Sequence, residues 1–242
     1  MSQRFSDNQF DKSAVEEIFL LTDTAPLKLY PTEPRGIYRN GLKRALDLLG
    51  AASLLLVFAP FFVVVAIAIA SSDGRPLFFG HERTGRNGKT FRCLKFRTMV
   101  RDADGQLTRH LDANPDARRE WNETRKLRND PRVHPIGRLL RISSLDELPQ
   151  LFNVLRGDMS LVGPRPVPRD ELFAHYDADS RHAYLSVRPG MTGLWQVSGR
   201  SNTTYLQRTQ LDETYIRTIS FSGDLSILWK TAKVLISRDG SC

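Results

Sequence analysis

The longest feature of the hydrophobic pattern is residues 48–70, 23 consecutive positions without a charge. At about 1.5 Å per residue a straight helix of that length reaches roughly 35 Å, enough for a hydrocarbon core of about 30 Å. The ordinary reading is one transmembrane helix. Pro60 disturbs it, because a mid-helix proline removes a backbone hydrogen bond and kinks the helix. The flanks disturb it too. Arg35, Arg39, Lys43 and Arg44 precede the run and Arg75, Arg83, Arg86 and Lys89 follow it, so the positive-inside rule gives no direction. A re-entrant helix that bends at Ala59-Pro60 and leaves by the face it entered satisfies both flanks.

Shorter patterns follow. Residues 76–94 read as a β-hairpin, with an apolar start at Leu77-Phe-Phe, a turn at Asn87-Gly88 and a return through Thr90-Phe-Arg-Cys-Leu. Residues 101–130 are heavily charged and predict solvated or interfacial helix over 107–113 and 118–127, closed by the Asp130-Pro131 break. Leu148, Leu151, Phe152 and Leu155 recur at i, i+3, i+4 and i+7, one apolar face of a short helix. Pro149 suits its first turn and Gly157 the position just past its end. A capping box from Ser144 to Glu147 is also formally present, but it would put Pro149 too deep, so the later start is preferred. Residues 194–197 read as a short strand between glycine turns, with Trp195 either facing a ligand or packing in the core. Leu225, Leu228, Trp229, Ala232 and Leu235 form a helical stripe that packs on the domain or lies in a membrane interface.

Candidate chemistry clusters around Asp146-Glu147, at or one step before the start of the Pro149 helix. Acidic residues collect at helix N-termini for electrostatic reasons alone. Yet Arg141 precedes the pair, Arg156 follows the helix, and Arg165 is fixed between two prolines. Paired carboxylates beside a helix N-terminus and several arginines can hold a metal and a phosphorylated substrate together. A carboxylate can also attack phosphorus and carry it covalently. Gly85-Arg-Asn-Gly-Lys-Thr90 looks like part of a P-loop but fails, since its first glycine position falls on Arg83. Lys89 is therefore read as a turn lysine.

Charge sharpens the choice of partner. The chain carries 35 Lys+Arg against 27 Asp+Glu, a net charge of +8. Such an excess points to nucleic acid, an anionic membrane surface or phosphorylated ligands. No basic run, zinc finger or aromatic RNA-binding motif is present, so nucleic acid is not expected. The two cysteines, Cys93 and Cys242, make neither a disulfide framework nor a metal-ligand spacing, which fits a reducing compartment. No secretory leader is expected, because the first apolar run begins too late.

Ser144-Leu-Asp-Glu-Leu-Pro-Gln-Leu and Gly157-Asp-Met-Ser-Leu-Val-Gly-Pro-Arg-Pro166 closely resemble the bacterial sugar transferase family, the monotopic polyprenyl-phosphate phosphoglycosyl transferases. Lys95-Phe-Arg-Thr-Met99 and Arg188-Pro-Gly-Met-Thr-Gly-Leu-Trp-Gln-Val-Ser-Gly-Arg200 extend the resemblance over residues 40–236. It implies an enzyme that moves a sugar-1-phosphate, galactose or glucose, from a UDP-sugar to undecaprenyl phosphate, releasing UMP. It implies Asp146 as nucleophile through a phosphosugar-aspartyl intermediate, with Glu147 holding Mg²⁺ or tuning its neighbour. Asp146 and Glu147 are thus the metal candidates, and Lys95, Arg97, Arg141 and Arg165 the phosphate-binding ones. The family breaks its membrane helix at a Ser-Pro pair; here the pair is Ala59-Pro60. A non-catalytic basic membrane anchor, or a single-span sensor of a phospho-ligand, remain alternative readings of the charge and the apolar run.

The expected fold is α+β and helix-rich. It combines a disordered tail (1–36), a Pro-kinked re-entrant membrane helix (37–75) and a catalytic domain (76–242) with a β-hairpin and interfacial amphipathic helices. The expected place is the bacterial inner membrane, on its cytoplasmic face and in contact with its lipids, with assembly into homo-oligomers left open.

Overall fold

The computed structural model describes residues 38–198 and 203–237. The tail expected at 1–36 lies outside the described residues. The apolar run becomes helix α1, Lys43–Asp73, entered through a π-turn at Tyr38–Leu42. This helix is long and apolar enough to cross a membrane, and little of it is buried. It continues through Pro60. The bend expected at Ala59-Pro60 therefore finds no break in the helix. Pro60 withholds its own N–H from the Leu56 carbonyl one turn back, and Leu56 is exposed.

One stripe of α1 packs on the rest of the chain on both sides of Pro60. Ala51 meets Phe91, Cys93, Leu151, Val154 and Met159. Val65 and Ile69 meet Phe96 and Leu140. The other face presents Leu49, Leu56, Val57, Val63, Val64 and Ile67 to the outside. Both ends are tied by charge. At the start, Asp224 accepts from Lys43 Nζ at 2.6 Å and from Tyr38 Oη at 2.5 Å. Asp47 accepts from Ser160 Oγ at 2.8 Å and from the Leu161 amide at 3.0 Å. At the end, the Arg97 guanidinium donates to the Gly74 carbonyl at 2.7 Å and pairs with the Asp73 carboxylate at 3.1 Å.

The hairpin forms as the pattern predicts. Strands β1, Phe78–Thr84, and β2, Thr90–Phe96, pair antiparallel with Phe79 opposite Lys95 and Thr84 opposite Thr90. Asn87 and Gly88 take positive φ, 59° and 74°, and make the turn; asparagine and glycine are the residues that tolerate it. The charged region folds as α2, Ala103–Ala113, and α3, Pro115–Thr124, each starting a few residues earlier than its periodicity suggests. Asn114 caps α3 by accepting from the Asp116 and Ala117 amides. Helix α4, Pro135–Ile142, is capped by His134, whose Nδ1 accepts from the Gly137 amide at 2.9 Å. Its other nitrogen faces the Arg97 carbonyl at 3.0 Å, so the proton belongs on Nε2.

The helix expected after Pro149 is α5, Gln150–Arg156, ended by Gly157 at φ 92°. Its buried face is Gln150, Leu151, Asn153 and Val154 rather than the expected Leu148, Leu151, Phe152 and Leu155; Leu155 is exposed. The polar Asn153 explains the rotation. It accepts from the Leu94 amide at 2.9 Å and donates to the Arg92 carbonyl at 2.9 Å, joining α5 to the edge of β2. Strands β3, Ser160–Val162, and β4, Gly190–Thr192, pair in parallel. A Cβ on Gly190 would lie 2.1 Å from the Gly163 nitrogen, so this crossing needs glycine. Helices α6, Arg169–His175, and α7, Ala178–Ser186, fill the connection. Residues Leu194–Val197, expected as a strand, form a short helix, α8. Helices α9, Tyr205–Arg217, and α10, Phe221–Ser237, close the described chain. On α10 Asp224 and Ile227 are buried, while Leu225, Leu228, Trp229 and Leu235 stay exposed.

The Asp224 knot yields a stability prediction. Removing one partner of a buried ion pair leaves the other charge uncompensated, which costs about 3–5 kcal/mol. Asp224→Ala is expected to lower unfolding stability by about 3 kcal/mol or more, read by denaturant titration in detergent. A change below about 1 kcal/mol would show that Lys43 finds another counter-charge.

Candidate functional site

Ser144, at φ 56°, turns the chain out of α4 and into a single 3₁₀ turn, Leu145–Glu147. Its hydroxyl makes no cap bond, so the capping box is not formed. Leu145 and Leu148 pack into the cluster around Val65, Ile69, Phe96 and Leu140, which fixes the turn from below. Asp146 is thereby buried at 8 % exposure, while the Glu147 side chain reaches out.

Lys95, at the end of β2, meets both carboxylates. Its Nζ lies 2.6 Å from Glu147 Oε1 and 3.6 Å from Asp146 Oδ2. The position follows from the hairpin register and from the Asn153 clasp on the neighbouring Leu94 amide. Burial opposes the lysine's charge, but Glu147 and then Asp146 hold its pKa above the ordinary value. Asp146 is shifted upward as well. Burial is the main cause and Glu147 adds to it, against Lys95 and Arg141, which favour the anion. Desolvation outweighs the positive charge around the carboxylate.

The structure brings Lys95, Asp146, Glu147 and Arg141 together. Arg141 Nε donates to Thr98 Oγ1 at 2.9 Å, which aims the guanidinium from α4 and leaves donors over. Arg97 is placed elsewhere, beneath the end of α1, although its Nε and Nη1 find no partner among the described residues. Arg165 lies over the Trp195 ring at 5.1 Å, and Arg208 lies over the same ring at 4.7 Å. Trp195 is buried, and its Nε1 donates to Thr203 Oγ1 at 2.6 Å. Of its two expected roles the structure shows packing, with one face of the ring covered by two arginines. Arg83 was seen in the sequence only as a basic flank. Burial is the main cause of its lowered pKa, and the charge of Arg165 adds to it. The thiol of Cys93 is pushed up to about 11, first by burial and then by Glu147, while Lys95, Arg83 and Arg165 oppose this. By the hairpin register Arg83, opposite Phe91, lies on the same face as Cys93 and Lys95. Only a hairpin register assigned in advance could have put Arg83 there, because no local spacing links residue 83 to 165.

Behind Arg165 sits Asp212, buried and raised to about 7 by desolvation, with Tyr176 Oη donating to it at 2.9 Å. As a chemical arrangement this is a half-dry carboxylate bridged to a second carboxylate by an ammonium. The Arg141 guanidinium approaches from α4. The arrangement can bind phosphate oxygens and offer an oxygen nucleophile.

Residues 38–238 match the family described as bacterial sugar transferase. The chain is 49 % identical over 199 residues to the exopolysaccharide production protein ExoY of Rhizobium meliloti, covering 82 % of this chain and 87 % of that protein. It is 47 % identical over 200 residues to the undecaprenyl-phosphate galactose phosphotransferase of Salmonella typhimurium, covering 83 % of this chain but 41 % of that protein. Against the UDP-glucose:undecaprenyl-phosphate glucose-1-phosphate transferase of Caulobacter vibrioides it is 37 % identical over 248 residues, 98 % of this chain and 83 % of the other. The chain thus spans less than half the length of the Salmonella relative and most of the length of the other two.

Lys95 is one of the groups that lower the Asp146 pKa, and burial and Glu147 remain when it is removed. Lys95→Gln is therefore expected to move the Asp146 titration to higher pH, read from ¹³C-labelled aspartate carboxyl shifts with Asp146→Asn as the assignment control. A downward move would mean that the lysine contributes more by drying the site than by its charge.

Proposed function

The chain belongs to the bacterial sugar transferase family, and on that premise we propose that it moves a sugar-1-phosphate from a UDP-sugar to undecaprenyl phosphate, releasing UMP. This is the reaction that would start an exopolysaccharide or O-antigen repeat unit. The observation that carries the reading is Asp146 itself, a buried carboxylate with Lys95 3.6 Å away and Arg141 near. The Salmonella relative is named for galactose and the Caulobacter relative for glucose, so the proposal covers both sugars.

In the proposed mechanism the Asp146 carboxylate attacks the β-phosphorus of the UDP-sugar. The bond from that phosphorus to the bridging oxygen breaks and UMP leaves with the electron pair. The sugar phosphate stays on Asp146 as an acyl phosphate. An oxygen of undecaprenyl phosphate then attacks the same phosphorus and returns Asp146 as a carboxylate. Burial suits this role, because a poorly solvated carboxylate is a stronger nucleophile once ionised, and Lys95 keeps ionisation accessible. Lys95 and Arg141 neutralise the charge that develops on the phosphoryl oxygens. Arg165, held over the Trp195 ring, is a further candidate to bind the diphosphate.

Mg²⁺ takes one or two protein carboxylates and fills its shell with water and substrate phosphate oxygens. Asp146 and Glu147 fit that demand, since their oxygens already converge on one cation, the Lys95 ammonium. They are the residues that would hold the ion, and bound there it would supply charge neutralisation of the diphosphate.

The reading extends to the membrane. Phe79, Leu139 and Ile142 are exposed on the elements that carry Lys95 and lead into Asp146, and α1 and α10 present further apolar faces. A lipid substrate needs its acceptor phosphate delivered at such a boundary. A straight helix of 31 residues is about 46 Å long, yet ion pairs tie both its ends to one folded unit. This supports α1 lying in one leaflet of the inner membrane, with both ends at the cytoplasmic face. Cysteines placed near Arg39 and near Arg86 should both resist membrane-impermeant reagents in intact cells. Labelling of one flank from outside would establish a spanning helix.

The decisive test of the chemistry is UMP release with undecaprenyl phosphate and a panel of UDP-sugars. Asp146→Asn keeps the size but removes the attacking charge, and turnover is expected to fall by about three orders of magnitude or more. Labelled UDP-sugar without lipid should leave label on the peptide containing Asp146. A sequential rate law with no label there would mean direct transfer and reduce Asp146 to a ligand.

A further inference from the structure

A second basic site lies at the opposite end of α1. It is a cavity of about 500 Å³, within the range of small-molecule pockets, and five cationic side chains line it: Arg39, Lys43, Arg44, Arg86 and Arg188. Asp47 is the one carboxylate in its lining, and that group already accepts from Ser160 and the Leu161 amide. Asp224, from α10, pairs with Lys43.

The arginines are held in place by neutral acceptors. Arg44 donates to the carbonyls of Met159, at 3.4 Å, and Leu155, at 3.3 Å. Arg188 Nε donates to the Gly157 carbonyl at 2.8 Å. The end of α5 and its Gly157 turn thus supply a set of oxygens that orient two guanidinium groups without cancelling their charge. Arg86 reaches the same cavity from the hairpin turn. No carboxylate lies within 4.0 Å of Arg44, Arg86 or Arg188 among the described residues. Their mutual repulsion registers at Arg188, whose pKa is lowered by burial and then by Arg44 and Arg86. Arginine cannot relieve such crowding by losing its proton, so an anion has to be supplied from outside.

This site is separate from the Asp146 centre. The two share no residue, and five steps along β2, about 17 Å at strand rise, separate Thr90 beside the turn from Lys95. Forked donors from several directions, fixed by carbonyls, suit the tetrahedral oxygens of a phosphate better than a single planar carboxylate. We propose that this cavity is a dedicated anion site that takes a phosphate-ester group and neutralises the first turn of α1. The group could come from a soluble phosphate compound or from the headgroup of an acidic phospholipid. The inference does not depend on the sugar-phosphate transfer reading.

The test uses the full chain in detergent, freed of lipid, with two probes. In one arm inorganic phosphate is titrated against chloride at equal ionic strength and the thermal unfolding midpoint is followed. In the other the protein is exchanged into nanodiscs of phosphatidylcholine with or without phosphatidylglycerol, and retained lipid is counted by native mass spectrometry. One-site binding is expected in at least one arm, and the arm that responds identifies the source. Arg86 is exposed on a turn, so Arg86→Gln should fold normally and weaken that binding about tenfold or more. Asp146→Asn should leave it unchanged. Absence of one-site binding in both arms, an unaffected Arg86→Gln variant, or equal loss in Asp146→Asn would each overturn the proposal.

Discussion

Asp224 is 4 % exposed and accepts from three donors, Tyr38, Lys43 and Tyr215. Asp47, one turn into the apolar helix, is equally buried and accepts from Ser160 and the Leu161 amide. A carboxylate at such a depth persists only when its oxygens are satisfied. These two acids therefore dictate where α1 can begin relative to α10 and β3. Once the start is fixed, the small Ala51 lies against Leu151 and Met159, and Val65 and Ile69 reach Phe96. The far end is then closed by Arg97, whose guanidinium occupies the last turn of the helix. An apolar helix that water would otherwise drive to aggregate is so held along one stripe, and its remaining face stays exposed.

The same stripe determines the electrostatics of the acidic pair. Phe96 and Leu140 fill the space between α1 and the 3₁₀ turn, and they dry Asp146 from beneath. Lys95 is the compensating charge, and it can reach both carboxylates because β2 stays in register through residue 96. Moving the lysine one position along the strand would place its side chain on the opposite face of the hairpin. The pair would then face burial and mutual repulsion with Arg141 alone. Helix packing, strand register and acid strength are in this sense one constraint.

How far this was legible in the sequence depends on the length scale of each interaction. The hairpin, the Gly157 stop and the long apolar run rest on local periodicity and turn chemistry, and the structure contains all three. The buried face of α5 was misassigned because Asn153, a polar residue, takes the core position through hydrogen bonds to β2. Residues 194–197 were read as strand, but one turn of helix buries Trp195 beneath Arg165 and Arg208, a tertiary demand that local pattern does not encode. Asp146, Glu147, Lys95 and Arg141 were named from sequence and meet in space. Arg97 was named with them and instead anchors the helix end. The upward shift of Asp146 was not legible at all, since its burial depends on packing from α1 and β2, which are distant in the chain.

The two ends of α1 are held by different chemistry. At its start the first turn stands beside arginines whose partners are carbonyl oxygens. At its end the chain passes through Gly74 to the hairpin and, through Arg97 and Thr98, to the elements that carry Lys95 and Arg141. Between them the exposed face of the helix, from Leu49 to Ile67, is apolar apart from Ser53. Under the two proposals a phosphate group would meet cations at the ends of the helix and none along its middle. In such a layout the helix positions charge as well as anchoring the chain, because its length separates one cationic group from the other and its burial against one domain keeps that separation rigid.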